Sequence, residues 1–266
     1  MHSSNSEKLQ HSEFEYHVRI YRDEDRQQVH ELFENAMFWQ PHSPVRPFLK
    51  IIAKSSIQKA LYFASAIGIL LWPSYPRLGP AILLTAVAIS LSQFILIVQL
   101  ILKMTKKNLS DDLADVRGHY ELIPSPETLG HGHEDLLPSG PKAFWVVEAT
   151  HKVTGRTELA GCCGIDVRNE AKMDGELRRM VVSGRHLRRG VAAMIVRTAI
   201  AYAKSHKLSS IYLSTSMAQE AAIQLYKKFG WVEEKRRDIA VFGFTAQIVH
   251  MRLHLAEKFR SELESL

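Results

Sequence analysis

Cysteine is scarce in this chain of 266 residues, and the two that occur, Cys162 and Cys163, are adjacent. Two adjacent cysteines do not form an ordinary disulfide with each other, because their Cα atoms lie closer together than the bond normally requires. Reduced thiols are typical of a domain that faces the cytosol. The first fifty residues are polar and contain no secretory signal, so nothing there predicts export.

The sequence also lacks a set of residues with the spacing of a metal site. His131 and His133 flank a glycine in a loop rich in proline and glycine, but no cysteine or carboxylate completes a known ligand pattern. We therefore expect no metal. The net charge of +6 comes from basic residues that cluster at one turn and beside an apolar stretch. This distribution favours a polyphosphate ligand and an anionic lipid bilayer as partners, and we expect no nucleic acid.

Charge is absent from residues 81–102, which contain only two glutamines as strongly polar side chains. A membrane-spanning helix needs about 17–25 apolar residues, so this segment is long enough. Residues 60–72 are also apolar and free of charge, but this run is short, about 17 residues even if it is counted from Ile57 to Pro73. A Pro-rich turn joins the two segments. The pair predicts a helical hairpin, either with two spans or with one span and a shallow re-entrant helix. A buried core helix of a soluble protein is the alternative.

Lysines flank both outer ends of this hairpin, whereas its turn contains only Arg77: Lys50, Lys54 and Lys59 precede it, and Lys103, Lys106 and Lys107 follow it. The positive-inside rule therefore places both outer ends in the cytosol. Such a topology leaves the segments before and after the hairpin on one side of the membrane, where they can share a fold.

The region 174–231 predicts a strand, a basic turn, a helix, a second strand and a second helix. A turn at a helix N-terminus binds phosphate well, because free backbone N–H groups and the positive end of the helix dipole converge there. Gly190 and Ala192 are small enough to let a phosphate approach the main chain. Arg188 and Arg189 add fork-shaped cationic donors.

These residues resemble the acetyl-CoA-binding core of the GNAT superfamily of N-acetyltransferases, whose turn has the form Gln/Arg-x-x-Gly-x-Gly/Ala. Gly190-x-Ala192 matches that form, although Leu187 stands where the family has Gln or Arg. Tyr226, followed by a Gly230-Trp231 pair, is the second match. The resemblance implies an α+β fold with a mixed, splayed central sheet flanked by helices, into which the transmembrane hairpin is inserted. It also implies acetyl-CoA as the co-substrate.

The resemblance implies a role for individual residues as well. The cofactor would bind the main chain of a bulged strand and the phosphate turn, through Met180, Val181, Val182, Arg188, Arg189, Gly190, Val191 and Ala192. Tyr226 would be the general acid and Glu176 the general base, with Asp174 and His186 as alternative bases. A packed tyrosine and an ion-paired glutamate are the structural alternatives. Strand alternation puts Glu176, Arg178 and Met180 on one face unless a bulge intervenes.

The position of the hairpin resembles the camello or N-acetyltransferase 8-like branch. We expect a disordered tail (1–14), the first strand and helix of the fold (15–39), the hairpin (40–107) and the catalytic core (108–266). Within these, Asp23 is expected to cap the first helix, and residues 123–141 to form a loop.

The branch implies an integral membrane enzyme, commonly of the endoplasmic reticulum, whose termini and catalytic domain face the cytosol. Its acceptor would be a primary amine of an amino acid or amino-acid conjugate. Transfer to protein lysine and a non-catalytic module that binds acetyl-CoA are the alternatives. Arg178 and Arg179 could bind an acceptor carboxylate or could serve the sheet surface.

Overall fold

The computed structural model describes residues 13–40, 43, 45–126, 134–167, 173–241 and 244–255. Its helices are α1 (Arg26–Phe38), α2 (Val45–Lys54), α3 (Ser56–Leu71), α4 (Leu78–Ser110), α5 (Val116–His119), α6 (Val191–Ser205) and α7 (Glu220–Lys228). Its strands are β1 (Phe14–Ile20), β2 (Leu122–Pro124), β3 (Leu136–Pro138), β4 (Ala143–His151), β5 (Thr157–Asp166), β6 (Asp174–Val182), β7 (Ser210–Ser216), β8 (Val232–Val241) and β9 (Phe244–His254).

Seven strands form one mixed sheet in the order β1-β4-β5-β6-β7-β9-β8. Every neighbouring pair is antiparallel except β6 and β7, which run parallel. The parallel pairing extends only from Asp174–Ser210 to Glu176–Tyr212. Beyond it, β6 stays with β5 as far as Val182, and β7 stays with β9 as far as Ser216. The two halves of the sheet therefore separate there, which confirms the predicted mixed, splayed sheet.

Two apolar cores cover the two faces of this sheet. Helices α6 and α7 pack on one face around side chains such as Trp145, Cys163 and Leu213. Helices α1 and α5 pack on the other face around Phe33, Tyr120 and Cys162. The adjacent cysteines thus point into opposite cores, as strand alternation requires, and both are fully buried. Burial raises the pKa of the Cys162 thiol to about 12, so this thiol stays protonated.

The apolar segments form an antiparallel hairpin of α3 and α4. At one end Gly68 lies against Gly79 and Leu83, and at the other the Gln58 side chain donates to Ser90. Helix α4 has 33 residues, about 50 Å at 1.5 Å per residue. Helix α3 has 16, or about 24 Å, which is less than the roughly 30 Å of a bilayer core. Within the described chain, only α4 is long and apolar enough to cross a membrane.

Helix α4 continues beyond the hairpin into the sheet domain. Ile97 and Ile101 are buried against Ile52 of α2 and Ala246 of β9. Leu109, in the last turn of α4, packs on the core beneath α1. Only 11% of the most apolar 18-residue stretch of α4 is buried within the protein, so the rest of that stretch exposes an apolar surface.

Several local expectations are wrong. Asp23 does not cap α1; it pairs with Arg117 at 2.9 Å, and Asp25 accepts the Arg22 N–H in the turn before the helix. Phe14 belongs to β1 rather than to the tail. Part of the predicted loop 123–141 forms the β2–β3 ribbon, whose three-residue strands are too short to show alternation. The remaining tail (1–12), the histidines 131 and 133 and the C-terminal segment 256–266 lie outside the described residues.

Replacing Gly68 by valine should destabilise the hairpin. An added Cβ would lie 2.9 Å from the backbone oxygen of Gly79 and from the backbone nitrogen of Leu83, so the helices must separate. Overpacking of this kind costs about 1–3 kcal/mol, which corresponds to about 2–10 °C in melting temperature. Ala66→Val is the matched control, because Ala66 is exposed on the same helix. Equal melting temperatures of the two variants in detergent would contradict this packing.

Candidate functional site

A β-bulge interrupts β6 where the two halves of the sheet separate. Cys162 pairs with Val181 and Gly164 pairs with Arg178, so a single residue of β5 faces both Arg179 and Met180. Arg179 has a φ of 52°, in the left-handed region that non-glycine residues seldom occupy. The bulge reverses the alternation: Arg178 and Arg179 both point to the α1 side, and Met180 points to the α6–α7 side.

The bulge therefore separates side chains that simple alternation places on one face. Glu176 lies on the same side as Arg178, with 4.0 Å between the Glu176 Oε2 and the Arg178 Nε. Met180 lies on the opposite side, in the core that includes Tyr226. Because an extra residue also disrupts the regular ladder, main-chain groups around Met180 are left without their usual strand partners.

The basic turn ends at Gly190, where α6 begins. Arg188 and Gly190 have φ values of 60° and 85°, and a Cβ added to Gly190 would meet no atom within 4 Å. The space in front of this main chain is open. The first N–H groups of α6, including those of Val191 and Ala192, have no partner within the helix. Val191 buries its side chain, so only its backbone is available to a ligand.

His186 and Arg189 of this turn make polar and aromatic contacts with the sheet. The His186 side chain is fully buried; its Nε2 lies 2.8 Å from Glu158 Oε1 and its Nδ1 lies 3.0 Å from the Tyr16 hydroxyl. The Arg189 guanidinium lies 5.5 Å from the centre of the Phe14 ring. Burial lowers the pKa of His186, and the positive charges of Arg189 and Arg185 lower it further, although Glu158 opposes them. Both ring nitrogens are engaged, which argues against His186 as the base.

Tyr226 is buried in α7, with its hydroxyl against Met180 of the bulge. The hydroxyl donates to the Met180 Sδ at 3.3 Å. A thioether sulfur is a weak acceptor, so this hydrogen bond is easily exchanged for a better one. Burial raises the pKa of Tyr226, so the group carries its proton at neutral pH. This is the protonation state that a general acid needs.

Glu176 is the last residue of β6 to pair with β7. The Tyr212 hydroxyl, on the neighbouring strand, lies 3.5 Å from the Glu176 Oε2. Two positions further along β7, the Ser214 Oγ lies 2.8 Å from the Nδ1 of His250 on β9. Strand alternation places Ser214 and His250 on the same face as Tyr212. Sequence reasoning missed this pair, because nothing local in the sequence indicates that β7 and β9 are neighbours.

The other candidates are held in ion pairs. Asp174 accepts hydrogen bonds from the Ser209 and Ser210 hydroxyls and pairs with Arg252 at 3.2 Å. Burial alone would raise the pKa of Asp174, but these partners outweigh it and the pKa is lowered. Its carboxylate is therefore stabilised in the ionised form and is a poor base.

Arg178 and Arg179 are also fully engaged. Arg178 pairs with Asp166 at 2.9 Å and with Asp111 at 3.2 Å, and Arg179 forms a forked contact with Asp112. Both side chains are nearly buried. The structure therefore argues against the idea that these two arginines bind an acceptor carboxylate, because protein carboxylates already occupy them.

The acetyltransferase (GNAT) family matches residues 112–231, a span that covers the bulge, the basic turn and Tyr226. The chain carries a GNAT acetyltransferase domain. Strand β1, helix α1 and the hairpin precede the matched span, although β1 belongs to the same sheet as the GNAT core.

Curated relatives extend the similarity across the hairpin. N-acetyltransferase family 8 member 3 of Mus musculus is 27% identical over 222 residues, covering 81% of this chain and 84% of its own. N-acetyltransferase family 8 member 2 of Rattus norvegicus is 25% identical over 248 residues, covering 86% and 94%. Among solved structures, a GNAT-family acetyltransferase from Staphylococcus aureus Mu50 aligns with a TM-score of 0.49 at 12% identity, over 91% of this chain and 99% of that one.

Proposed function

We propose that this protein is a membrane-anchored N-acetyltransferase that moves the acetyl group of acetyl-CoA to a primary amine. The observation that carries the proposal is the separation of β6 from β7 beside a bulge, with an open helix N-terminus at the end of the same strand. The gap between the strands suits a thioester, and the helix N-terminus beyond the strand suits the polyphosphate tail that is attached to it. Enzymes of the GNAT family use acetyl-CoA, which fits both.

The phosphate groups would bind at the start of α6. The open main chain at Gly190 and the N–H groups of Val191 and Ala192 form an anion site, and the exposed Arg188 adds charge. Arg189 contributes positive potential from its place over Phe14. The main chain of residues 180–182 would pair with the arm of the ligand in the gap between the strands.

Acetyl transfer requires three operations from the protein. The amine must lose a proton, the oxyanion must be stabilised, and the departing sulfur must receive a proton. Glu176 would take the proton, directly or through water, from the face that it shares with Tyr212. Main-chain N–H groups near Met180 would stabilise the oxyanion. The Tyr226 hydroxyl would turn from the Met180 sulfur to the departing sulfur and donate its proton.

The proposed acceptor is the amine of an amino acid or an amino-acid conjugate. Purified protein in detergent should release free CoA from acetyl-CoA when such amines are supplied. Release with lysine peptides alone would assign the protein to lysine acetylation instead. Binding of acetyl-CoA without release for any amine would reduce it to a tethered binding module.

The hairpin would anchor the enzyme in the endoplasmic reticulum membrane, with the sheet domain in the cytosol. Strands β1 and β4 pair in one sheet although the hairpin separates them in sequence, so the chain must leave and re-enter on the same side of the bilayer. The lysines at both outer ends of the hairpin favour the cytosolic side.

A glycosylation cassette on a flexible spacer tests this orientation in cells. We expect a cassette fused to either terminus to stay unmodified and one inserted after Ser74 to be glycosylated, read as a glycosidase-sensitive shift in mobility. Modification at a terminus would reverse the orientation. An unmodified cassette after Ser74 would show that the hairpin turns within the bilayer.

Replacing Tyr226 by phenylalanine should lower kcat by about 10²–10⁴-fold and leave the Kd for acetyl-CoA unchanged, because only the donated proton is lost. Steady-state turnover and calorimetric titration measure the two quantities. Tyr202→Phe is the matched control. Tyr202 is also a helical tyrosine whose hydroxyl donates a hydrogen bond, but the acceptor is the carbonyl oxygen of Gly140. Unchanged turnover in Tyr226→Phe would remove Tyr226 from the mechanism.

Replacing Gly190 by alanine should weaken acetyl-CoA binding by about tenfold or more, because the methyl group blocks the approach of the phosphate and strains the turn. Gly155→Ala provides a close control. Gly155 also has a positive φ, 67°, and open space around its Cβ, but it lies in the β4–β5 turn. Equal loss of affinity in both variants, measured by calorimetry, would assign the effect to backbone strain rather than to the phosphate.

A further inference from the structure

Helix α4 ends at Ser110, and a buried carboxylate follows two residues later. Asp112 is fully buried. Its two carboxylate oxygens accept from the Arg179 Nε at 2.8 and 3.0 Å, and its Oδ2 also accepts from the Tyr120 hydroxyl at 2.7 Å. The chain that leaves the hairpin is thus joined directly to the bulge of β6.

Arg179 is the residue whose backbone defines that bulge. Its φ of 52° is unfavourable for an arginine, and such a conformation persists only where the surroundings impose it. Its guanidinium is held by Asp112 and lies 5.9 Å from the centre of the Phe33 ring. The side-chain contacts therefore stabilise a backbone shape that β6 would not adopt by itself.

The opposite strand is shaped to admit this arrangement. Gly164 of β5 pairs with Arg178 next to the bulge, and a Cβ at Gly164 would lie 2.5 Å from the Tyr120 hydroxyl oxygen. The missing side chain lets Tyr120 reach Asp112. A continuous chain of contacts then runs from β5 through Tyr120 and Asp112 to Arg179.

Electrostatic interactions stabilise the contact between Asp112 and Arg179. Burial alone would raise the pKa of Asp112. This effect is outweighed by the hydrogen bonds and charge of Arg179, by the hydrogen bond from Tyr120 and by the charge of Arg178, so the pKa of Asp112 is lowered. Asp112 is ionised and paired. The neighbouring Arg178 is balanced by Asp111 and Asp166.

We propose that Asp112 is a positioning residue for acetyl transfer, which fixes the bulge of β6 through Arg179 and so aims the main-chain donors near Met180. This inference rests on the proposed function, in which those donors face the thioester. It also gives the hairpin a second role, because the end of α4 delivers the group that shapes the reacting strand.

The test uses the full chain in detergent, with Asp112→Asn and the control Asp111→Asn. Asp111 is half exposed and pairs with both Arg178 and Arg179. We expect Asp112→Asn to lower kcat by about 100-fold, as small misplacements of reacting groups do. Its Kd for CoA should change far less than its kcat, because the phosphate turn is intact. Asp111→Asn should keep most of its kcat.

A double-variant cycle shows whether Asp112 acts through Arg179. If it does, Asp112→Asn combined with Arg179→Gln should lower kcat no further than either change alone, whereas independent effects multiply. Asp112→Glu restores the carboxylate and should recover part of the lost kcat. These readouts separate positioning from mere support of the fold, which would lower the melting temperature and leave kcat intact.

Wild-type kcat in folded Asp112→Asn would overturn the inference, even if that variant melts at a lower temperature. Should Asp112→Asn not fold, the single variants Asp112→Glu and Arg179→Lys take its place. Each keeps the charge of the residue that it replaces and changes the geometry of the Asp112–Arg179 ion pair. Wild-type kcat in both variants would overturn the inference as well. Failure of the wild-type chain to acetylate any amine would reject the proposed function instead.

Discussion

The pairing of two parallel strands for only three residues is the constraint on which the rest of the structure depends. Beyond Glu176 and Tyr212 the central strands find partners only on their outer sides. Their inner edges carry backbone donors and acceptors that a continuous sheet would satisfy. The bulge at Arg179 and the buried Asp112 stabilise β6 in this separated form. The fold thus leaves main-chain groups of β6 and β7 without a strand partner on their inner edges at the centre of the domain.

The parts of the site that depend on local sequence could be predicted. Gly190 at a helix start and Tyr226 before Gly230-Trp231 are short-range patterns with direct physical causes. The structure has Gly190 at the start of α6 and the Tyr226 hydroxyl at Met180. The bulge could be anticipated only from the family resemblance, because nothing in the sequence shows that Arg179 has a positive φ. The pairing of Asp112 with Arg179 joins residues 67 positions apart, and that of Ser214 with His250 joins residues 36 apart. Only tertiary structure brings such partners together.

The hairpin is the feature whose prediction the structure refines most. Both apolar segments are helical, as the sequence indicates, but α3 is shorter than a bilayer core and α4 is much longer. The C-terminal part of α4 lies against the sheet domain. It packs against α2 and β9 and ends beside β6, so the hairpin and the sheet domain share one continuous helix. Hydropathy assigns Ile97 and Ile101 to the apolar segment 81–102, and only the structure shows that they pack on α2 and β9.

The two faces of the separated sheet then have different tasks under the proposed mechanism. The phosphate turn, Met180 and Tyr226 belong to the α6–α7 side, whereas Glu176 and the Ser214–His250 pair belong to the other. A thioester held in the gap is reached by the acid from one face and by the base from the opposite face. The amine must therefore arrive on the side of Glu176. That is also the side on which Ala246 of β9 packs against α4, so under the proposed function the acceptor would approach along the face of the domain that carries the apolar helix.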